Sequence, residues 1–317
     1  VAAPRAEIRD AELVFAGYGI EAPEYGWDDF KGADLRGKVL LLLNDDPDWD
    51  PDLFGGRRRL YYGRWTYKFE SAARQGAAGA IIVHTPKSAG YPWQTVQTSW
   101  TGENSRLAEA PDGRGLAVEA WVTDDAARRL ARLAGHDLDR LLASARGREF
   151  VPVPLGVTTS KVLDVDVRHY ATANVGAVLR GRDPRLAEEI VVYSAHHDHF
   201  GIKTSPDGKR EIYNGALDNA AGVAQMLAIA RAFVALPEPP RRSILFLAVA
   251  AEEQGLLGSE YFVKHPPVPV SRLVANLNVD GGNVFGRTTD LGVVGLGKSS
   301  LDEHLAAAAA TQGRTLA

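Results

Sequence analysis

Cysteine is absent from the 317-residue chain. This absence excludes disulfides, thiolate nucleophiles and every metal site that needs a cysteine ligand. It does not indicate a compartment, because a chain of this length can be stable without cross-links in either redox environment. Any metal bound here must therefore use histidine and carboxylate side chains.

Three other features are missing. The net charge of −4, with dispersed Lys and Arg, excludes the basic surface that binds a nucleic-acid backbone. No apolar run approaches the ~20 residues that span a membrane, so no membrane span is predicted. The first ten residues lack the anatomy of a signal peptide, so a leader is either absent or already removed. A periplasmic or secreted location is our expectation.

The first half of the chain alternates strand and helix patterns. "GKVLLLLND" at residues 37–45 is typical of a buried strand, and "FESAARQGAAGAIIVH" at residues 69–84 indicates a helix followed by a strand. "LAVEAWVT" then predicts a strand, after which Thr123 is a candidate N-cap. We predict one α/β domain over residues 1–157.

The second half, residues 158–317, shows a clearer alternation of strand and helix patterns. "VLDVDVRHYATANVGAVLRG" suggests paired strands, and "EIVVYSAHH", "SILFLAVA", "LVANLNVD" and "LGVVGLG" read as further strands. Helical patterns at "AGVAQMLAIARAFVAL", "GSEYFVKH" and "SSLDEHLAAAAATQG" separate or follow them. This order predicts an α/β fold: a mostly parallel mixed sheet sandwiched by helices, beside a second, smaller α/β domain.

Ionisable side chains follow three of these strands. His196 and Asp198 follow the first, the neighbours Glu252 and Glu253 follow the second, and Asp280 follows the third. In sheets of this kind, ligands bind beyond the carboxyl ends of the strands. Asp218, just ahead of a helix, can project from the same rim, although an isolated Asp there is usually a helix cap or turn former.

So many carboxylates in one crevice would repel each other unless cations share the site. With nitrogen and oxygen ligands only, zinc is the leading candidate, and manganese and cobalt stay open. Adjacent residues on an extended chain point in opposite directions, so one of Glu252 and Glu253 can bind metal while the other acts as general base. Asp198 is a candidate to orient the His196 ring, and we interpret His199 as structural.

These motifs resemble a known family. "AHHDHFG", "GALDNAAGVA", "AVAAEEQGLLGSEYF" and "NLNVDGG" are similar, in this order, to the motifs of the M28 zinc metallopeptidases. The resemblance covers about residue 173 to the end and implies the zinc exopeptidase fold. The first region resembles more loosely a protease-associated (PA) domain, chiefly at residues 37–45 and 69–84.

Carried onto this chain, the family pattern implies two zinc ions. His196 and Asp280 would bind one ion, Glu253 would bind the other, and Asp218 would bridge both. The resemblance further makes Glu252 the general base, gives Asp198 the orienting role, and implies a cis peptide bond after Asp218.

One departure from the family pattern concerns the second ion. The family's last zinc ligand is a His far downstream of the Asp280 motif, whereas the only later His here is His304, which we interpret as a surface helix residue. We therefore expect an incomplete catalytic domain, weak or partial zinc occupancy, and self-association through uncovered apolar surface.

The predicted function is metal-dependent hydrolysis of the N-terminal peptide bond of peptide substrates, with a metal-activated water as nucleophile. A carboxypeptidase-type member of the family is the alternative, and a one-metal glutaminyl cyclase is less favoured. From a different class, a non-catalytic binding protein could keep this fold. It would have lost ligands or base, whereas the five residues assigned above, His196, Asp218, Glu252, Glu253 and Asp280, are all present.

Overall fold

A computed structural model describes residues 4–56, 59–100, 103–108, 115–205, 207–294, 296–297 and 299–317. The chain divides into two compact units, Val1–Ala171 and Thr172–Ala317. The first is the longer of the two in this chain. Each unit is described by itself below.

The first unit is a helix-covered sheet with strand order β6-β5-β4-β1-β7, parallel except for β7. Its strands and helices are β1 (Arg5–Phe15), β2 (Glu21–Ala22), β3 (Trp27–Asp28), β4 (Val39–Leu43), α1 (Trp65–Arg74), β5 (Gly79–His84), α2 (Pro86–Ala89), α3 (Trp93–Trp100), β6 (Val118–Thr123), α4 (Asp124–Leu133), α5 (Leu138–Ser144) and β7 (Val153–Asp164).

Strand β4 shows that this unit has an apolar core on both faces of its sheet. All five of its residues are buried, because successive side chains point to opposite faces and both faces are covered. Leu41 lies in a cluster with Phe15 and residues of α4 and α5, while Leu40 lies in a second cluster with Phe69 of α1. An uninterrupted apolar run therefore forms a central strand, as predicted.

The boundary between the units differs from the predicted division between residues 157 and 158. Strand β7 continues to Asp164 and pairs antiparallel with β1, from Phe15 opposite Val153 to Arg5 opposite Asp164. This pairing keeps residues 158–164 in the first unit. The expected pairing within residues 162–181 does not form, since β8 (Val175–Leu179) pairs with a strand of the second unit instead.

The second unit contains a sheet with strand order β13-β9-β12-β8. Strands β9, β12 and β13 are parallel, and β8 is antiparallel to β12. After β8, its strands and helices are β9 (Ile190–His196), β10 (Gly201–Thr204), β11 (Arg210–Tyr213), α6 (Ala221–Val234), β12 (Ser243–Val249), α7 (Leu257–Lys264), β13 (Leu273–Asn278), β14 (Asp290–Leu291), α8 (Leu301–Thr311) and β15 (Thr315–Leu316).

Helices cover both faces of this second sheet, which confirms the mixed α/β fold. Met226 of α6 packs with Ile244 and Phe246 on one face, whereas Phe262 of α7 packs against residues of β9 and β12 on the other. No helix in the described part of the chain is both long and apolar enough to cross a membrane.

One predicted strand is largely wrong. Among the described residues of 291–297, only Leu291 is in a strand, as the end of β14, which pairs parallel with β15. The repeated glycines of "LGVVGLG" favour turns there over a regular ladder.

Candidate metal centre

The carboxyl ends of three parallel strands meet at one edge of the second sheet. Strand β9 ends at His196, directly opposite Val249 at the end of β12, and β13 ends two residues before Asp280. Because β9 lies between the other two, their trailing residues converge around His196. This is the edge at which the sequence predicted the site.

Asp218 reaches the same edge from a turn before α6. Residues Ala216–Ala220 form one irregular helical turn in which Asp218 and Asn219 have non-helical backbone angles. The peptide bond between these two residues is cis, as the family resemblance implied.

Asn219 ties this turn to the segment that carries Asp280. Its side chain is buried, its Oδ1 accepts hydrogen bonds from the backbone N–H groups of Gly222 and Gly281, each at 2.9 Å, and its Nδ2 donates to the carbonyl of Val279 at 2.9 Å. Sequence reasoning missed Asn219. Its place directly after the candidate bridging carboxylate was the available signal.

The first group of candidate ligands is His196, Asp218 and Asp280. His196 Nε2 lies 2.9 Å from Asp218 Oδ1 and 3.3 Å from Asp280 Oδ1. Nε2 is buried, yet within the described residues it has no hydrogen bond of acceptable geometry. An unsatisfied buried nitrogen facing two carboxylates fits a metal ligand, since a cation between these atoms would satisfy all of them.

The second group is His199, Asp218 and Glu253, whose candidate ligand atoms all lie within 4.8 Å of one another. Asp218 belongs to both groups, which is the arrangement expected of a carboxylate that bridges two ions. His199, interpreted from the sequence as structural, therefore lies inside the site. The signal was its position directly after Asp198, where the strand end continues toward the metal ligands.

Asp198 has a different contact from the one predicted. His196 Nδ1 lies 3.1 Å from the backbone carbonyl of Asp198, while the Asp198 carboxylate is 3.7 Å from that nitrogen. The carboxylate instead accepts hydrogen bonds from the backbone N–H groups of Glu252, at 3.0 Å, and Glu253, at 3.3 Å. Asp198 thus anchors the segment that carries both glutamates.

Glu252 lies beside the first group without belonging to it. Its Oε2 is 4.0 Å from His196 Nε2. Burial raises the pKa of Glu252, the His196 charge opposes this rise, and the charges of Glu253 and Asp280 add to it. A carboxyl whose proton affinity is increased in this way suits a group that accepts and returns a proton.

His304 lies exposed in α8, as predicted for a surface helix residue, and is in neither candidate group.

The second half of the chain is similar to known proteins. Residues 174–317 match the model of peptidase family M28. This part of the chain is therefore similar to the peptidases of family M28. The M28 match begins close to the start of the second unit, whereas the PA-like character of the first unit stays a prediction.

Curated relatives match over parts of their length. Aminopeptidase YwaD of Bacillus subtilis (strain 168) is 37% identical over 93 residues, covering 29% of this chain and 18% of the relative. A probable zinc metalloprotease of Pyricularia oryzae is 33% identical over 154 residues, covering 46% and 27%. A vacuolar membrane protease of Candida dubliniensis is 31% identical over 131 residues, covering 40% and 13%. The chain thus spans less than a third of each of these relatives.

Solved structures are similar over more of the chain. BSAP, a zinc aminopeptidase from Bacillus subtilis, has a TM-score of 0.39 and 22% identity, covering 96% of this chain and 58% of that one. The aminopeptidase from Aneurinibacillus sp. strain AM-1 has a TM-score of 0.36 and 23% identity, covering 87% and 51%.

Proposed function

We propose that this protein is a zinc-dependent aminopeptidase that removes the N-terminal residue of peptides. The observation that carries the proposal is the sharing of Asp218 by two His-carboxylate groups, with Glu252 close by but outside both. The match of residues 174–317 to peptidase family M28 supports peptide hydrolysis, and similarity to an aminopeptidase and to a probable zinc metalloprotease supports the specificity and the metal.

The proposed roles follow from position. His196, Asp218 and Asp280 would hold one zinc ion, and Asp218 and Glu253 would contribute to the other. When bound, zinc supplies Lewis acidity that polarises the scissile carbonyl and makes a water molecule more acidic. Glu252 accepts the proton of the attacking water and returns it to the leaving amine. Asp198 keeps Glu252 and Glu253 in place through their backbone N–H groups.

The direct test measures metal content and hydrolysis together. Peptides with a free or acetylated amino terminus, and a free or amidated carboxyl terminus, are offered to the zinc-loaded protein. We expect cleavage to require the free amino terminus and to be indifferent to amidation. Cleavage that depends on a free carboxylate would establish the carboxypeptidase alternative, and metal binding without hydrolysis would support a non-catalytic protein.

A further inference from the structure

We propose that His199 is a positioning residue that holds the Glu253 carboxylate through a hydrogen bond, leaving the other carboxylate oxygen free for the second metal ion. The inference rests on the proposed function and deepens it, because it concerns the same centre. Its starting point is one contact: His199 Nδ1 lies 2.5 Å from Glu253 Oε1.

The length of this contact distinguishes a hydrogen bond from shared metal ligation. Two ligand atoms bound to one tetrahedral zinc at about 2.0–2.2 Å lie about 3.3–3.6 Å apart. The distances from His196 Nε2 to Asp218 and Asp280, 2.9 and 3.3 Å, are closer to that separation. The contact between His199 and Glu253 is shorter than both and lies just below the roughly 2.7–2.9 Å typical of charge-assisted N–H···O bonds, so it fits a direct hydrogen bond and leaves no room for an ion between the two atoms.

The direction of the hydrogen bond follows from the chemistry of the two groups. An ionised carboxylate only accepts hydrogen bonds, and a carboxylate that binds metal must be ionised. The proton therefore sits on His199 Nδ1, which donates to Glu253 Oε1. Oε2 then remains available for the ion.

Glu253 is held at two points by consecutive residues. Its backbone N–H donates to the Asp198 carboxylate at 3.3 Å, and its side chain accepts from His199. The Glu253 side chain is only 12% exposed, so little water can substitute for these partners. With its backbone and one carboxylate oxygen fixed, its rotamer is restricted before any metal arrives.

Neighbouring residues hold the His199 ring. It lies 5.1 Å from the Phe200 ring and 6.3 Å from the Tyr213 ring at the end of β11. Gly215 passes so close that a Cβ atom there would lie 2.9 Å from His199 Cβ, and its φ of +64° favours glycine. Phe200, Tyr213 and the close approach of Gly215 thus restrict the position of His199.

The test compares His199→Ala, His199→Asn and the control His197→Ala. The asparagine side-chain nitrogen occupies nearly the position of Nδ1 and can donate the same hydrogen bond. The control removes the neighbouring exposed histidine, whose Nε2 contacts the backbone carbonyl of Ala173 and which forms no ion pair with a carboxylate among the described residues. Zinc affinity of each position is measured by competition with a chelator. Cobalt substitution, followed by proton NMR of hyperfine-shifted imidazole N–H signals, counts the histidines bound to metal.

We expect His199→Ala to weaken the second zinc position by about 10–100-fold, the range for loss of a hydrogen bond to a ligand. His199→Asn should restore most of that loss, and His197→Ala should leave both positions unchanged. The number of metal-bound histidines should be the same in all four proteins, including the parent.

Four results would overturn the proposal. One is unchanged zinc affinity in His199→Ala, and another is loss of an imidazole N–H signal from the cobalt form, which would make His199 a ligand. The third is an equal fall in metal-free melting temperature in both His199 variants without rescue of affinity by Asn. The fourth is a parent protein that binds a single ion, whether or not it hydrolyses peptides. Failure of peptide hydrolysis with the expected affinities would instead count against the proposed function alone.

Discussion

Adjacent residues in this site perform different tasks because their side chains meet different partners. Glu252 lies beside His196 at 4.0 Å, while Glu253 contacts His199 and shares its group with Asp218. Their backbone N–H groups nevertheless share one acceptor, the Asp198 carboxylate. The Asp198 carboxylate therefore holds the backbone of both glutamates, and each glutamate side chain can be substituted separately.

Replacement of the proposed general base should separate chemistry from metal binding. We expect Glu252→Gln to lower peptide hydrolysis by ~10²–10⁴-fold, because the amide cannot take the proton of the attacking water. Zinc content, measured by atomic emission after dialysis, should stay near that of the parent. Glu253→Gln, the matched neighbour, should lose zinc. Equal zinc loss in both variants would show that the two roles are assigned incorrectly.

A buried charge in the first unit allows a second prediction at this scale. Lys68 has a fully buried side chain that donates to the Tyr18 carbonyl at 2.7 Å. Burial lowers the pKa of Lys68, and the charges of Asp29 and Asp46 oppose this. Burial raises the pKa of Asp29, and hydrogen bonds and the Lys68 charge oppose that rise. The charges of Lys68 and Asp29 thus each offset part of the cost of burying the other.

Removal of Lys68 alone should therefore cost more than removal of both groups. We expect Lys68→Met to lower the free energy of unfolding by about 3–5 kcal/mol, because it leaves the buried Asp29 carboxylate without a nearby positive charge. Adding Asp29→Asn should recover part of that loss. Urea unfolding followed by tryptophan fluorescence measures both. The control Lys38→Met breaks a partly exposed pair with Glu12 at 2.9 Å and should cost less than about 1 kcal/mol. Additive losses from the Lys68 and Asp29 changes would contradict this coupling.

At the scale of elements, helix α6 is joined to the site by close backbone approach. Gly222 lies in its first turn, where an added Cβ would be 2.1 Å from Asn219 Oδ1 and 2.6 Å from the Val279 carbonyl. Both neighbours are held in place, since Asn219 bonds to Val279, Gly222 and Gly281. The helix can begin here only because this position has no side chain.

We accordingly expect Gly222→Ala to displace Asn219, lower stability by about 1–3 kcal/mol as overpacking does, and weaken zinc binding at the same time. Ala224→Gly, an exposed position in the same helix, should cost about 1 kcal/mol through helix propensity and leave zinc binding unchanged. Thermal unfolding with and without zinc separates the two effects. Unaltered zinc affinity in Gly222→Ala would show that Asn219 does not control the site.

At the scale of the whole molecule, the division into two units depends on one strand. Residues 158–164 of β7 pair with Arg5–Glu12 of β1, far away in the sequence. Each unit has its own apolar clusters, so the first can be tested alone. Without the end of β7, most of β1 would become an unpaired edge.

A fragment of residues 1–171 should therefore unfold cooperatively on heating, as judged by circular dichroism. A fragment of residues 1–157 should melt at a lower temperature, and the amides of β1 that precede Val14 should lose protection from hydrogen exchange. Identical melting and exchange in the two fragments would contradict the boundary between Ala171 and Thr172.

Much of this protein was determined by the sequence alone. Apolar runs predicted β4, β9 and β12, because a strand covered on both faces needs few polar residues. Strand β13, whose residues alternate between half-buried and exposed, was also predicted. The order of those strands and helices predicted the parallel sheet, and hence the edge where His196, Asp218, Glu252, Glu253 and Asp280 come together. These features depend on local composition and on a general rule for such sheets, so no tertiary contact was needed to find them.

Tertiary structure alone decided how these residues are held. Asp198 binds the amides of Glu252 and Glu253, more than 50 positions away, instead of the ring of its neighbour His196. The entry of His199 into the site and the anchoring by Asn219 likewise depend on contacts between distant segments. Such contacts follow from the packing of one strand against another. The spacing of residues along the chain does not determine which of several nearby polar groups forms the hydrogen bond.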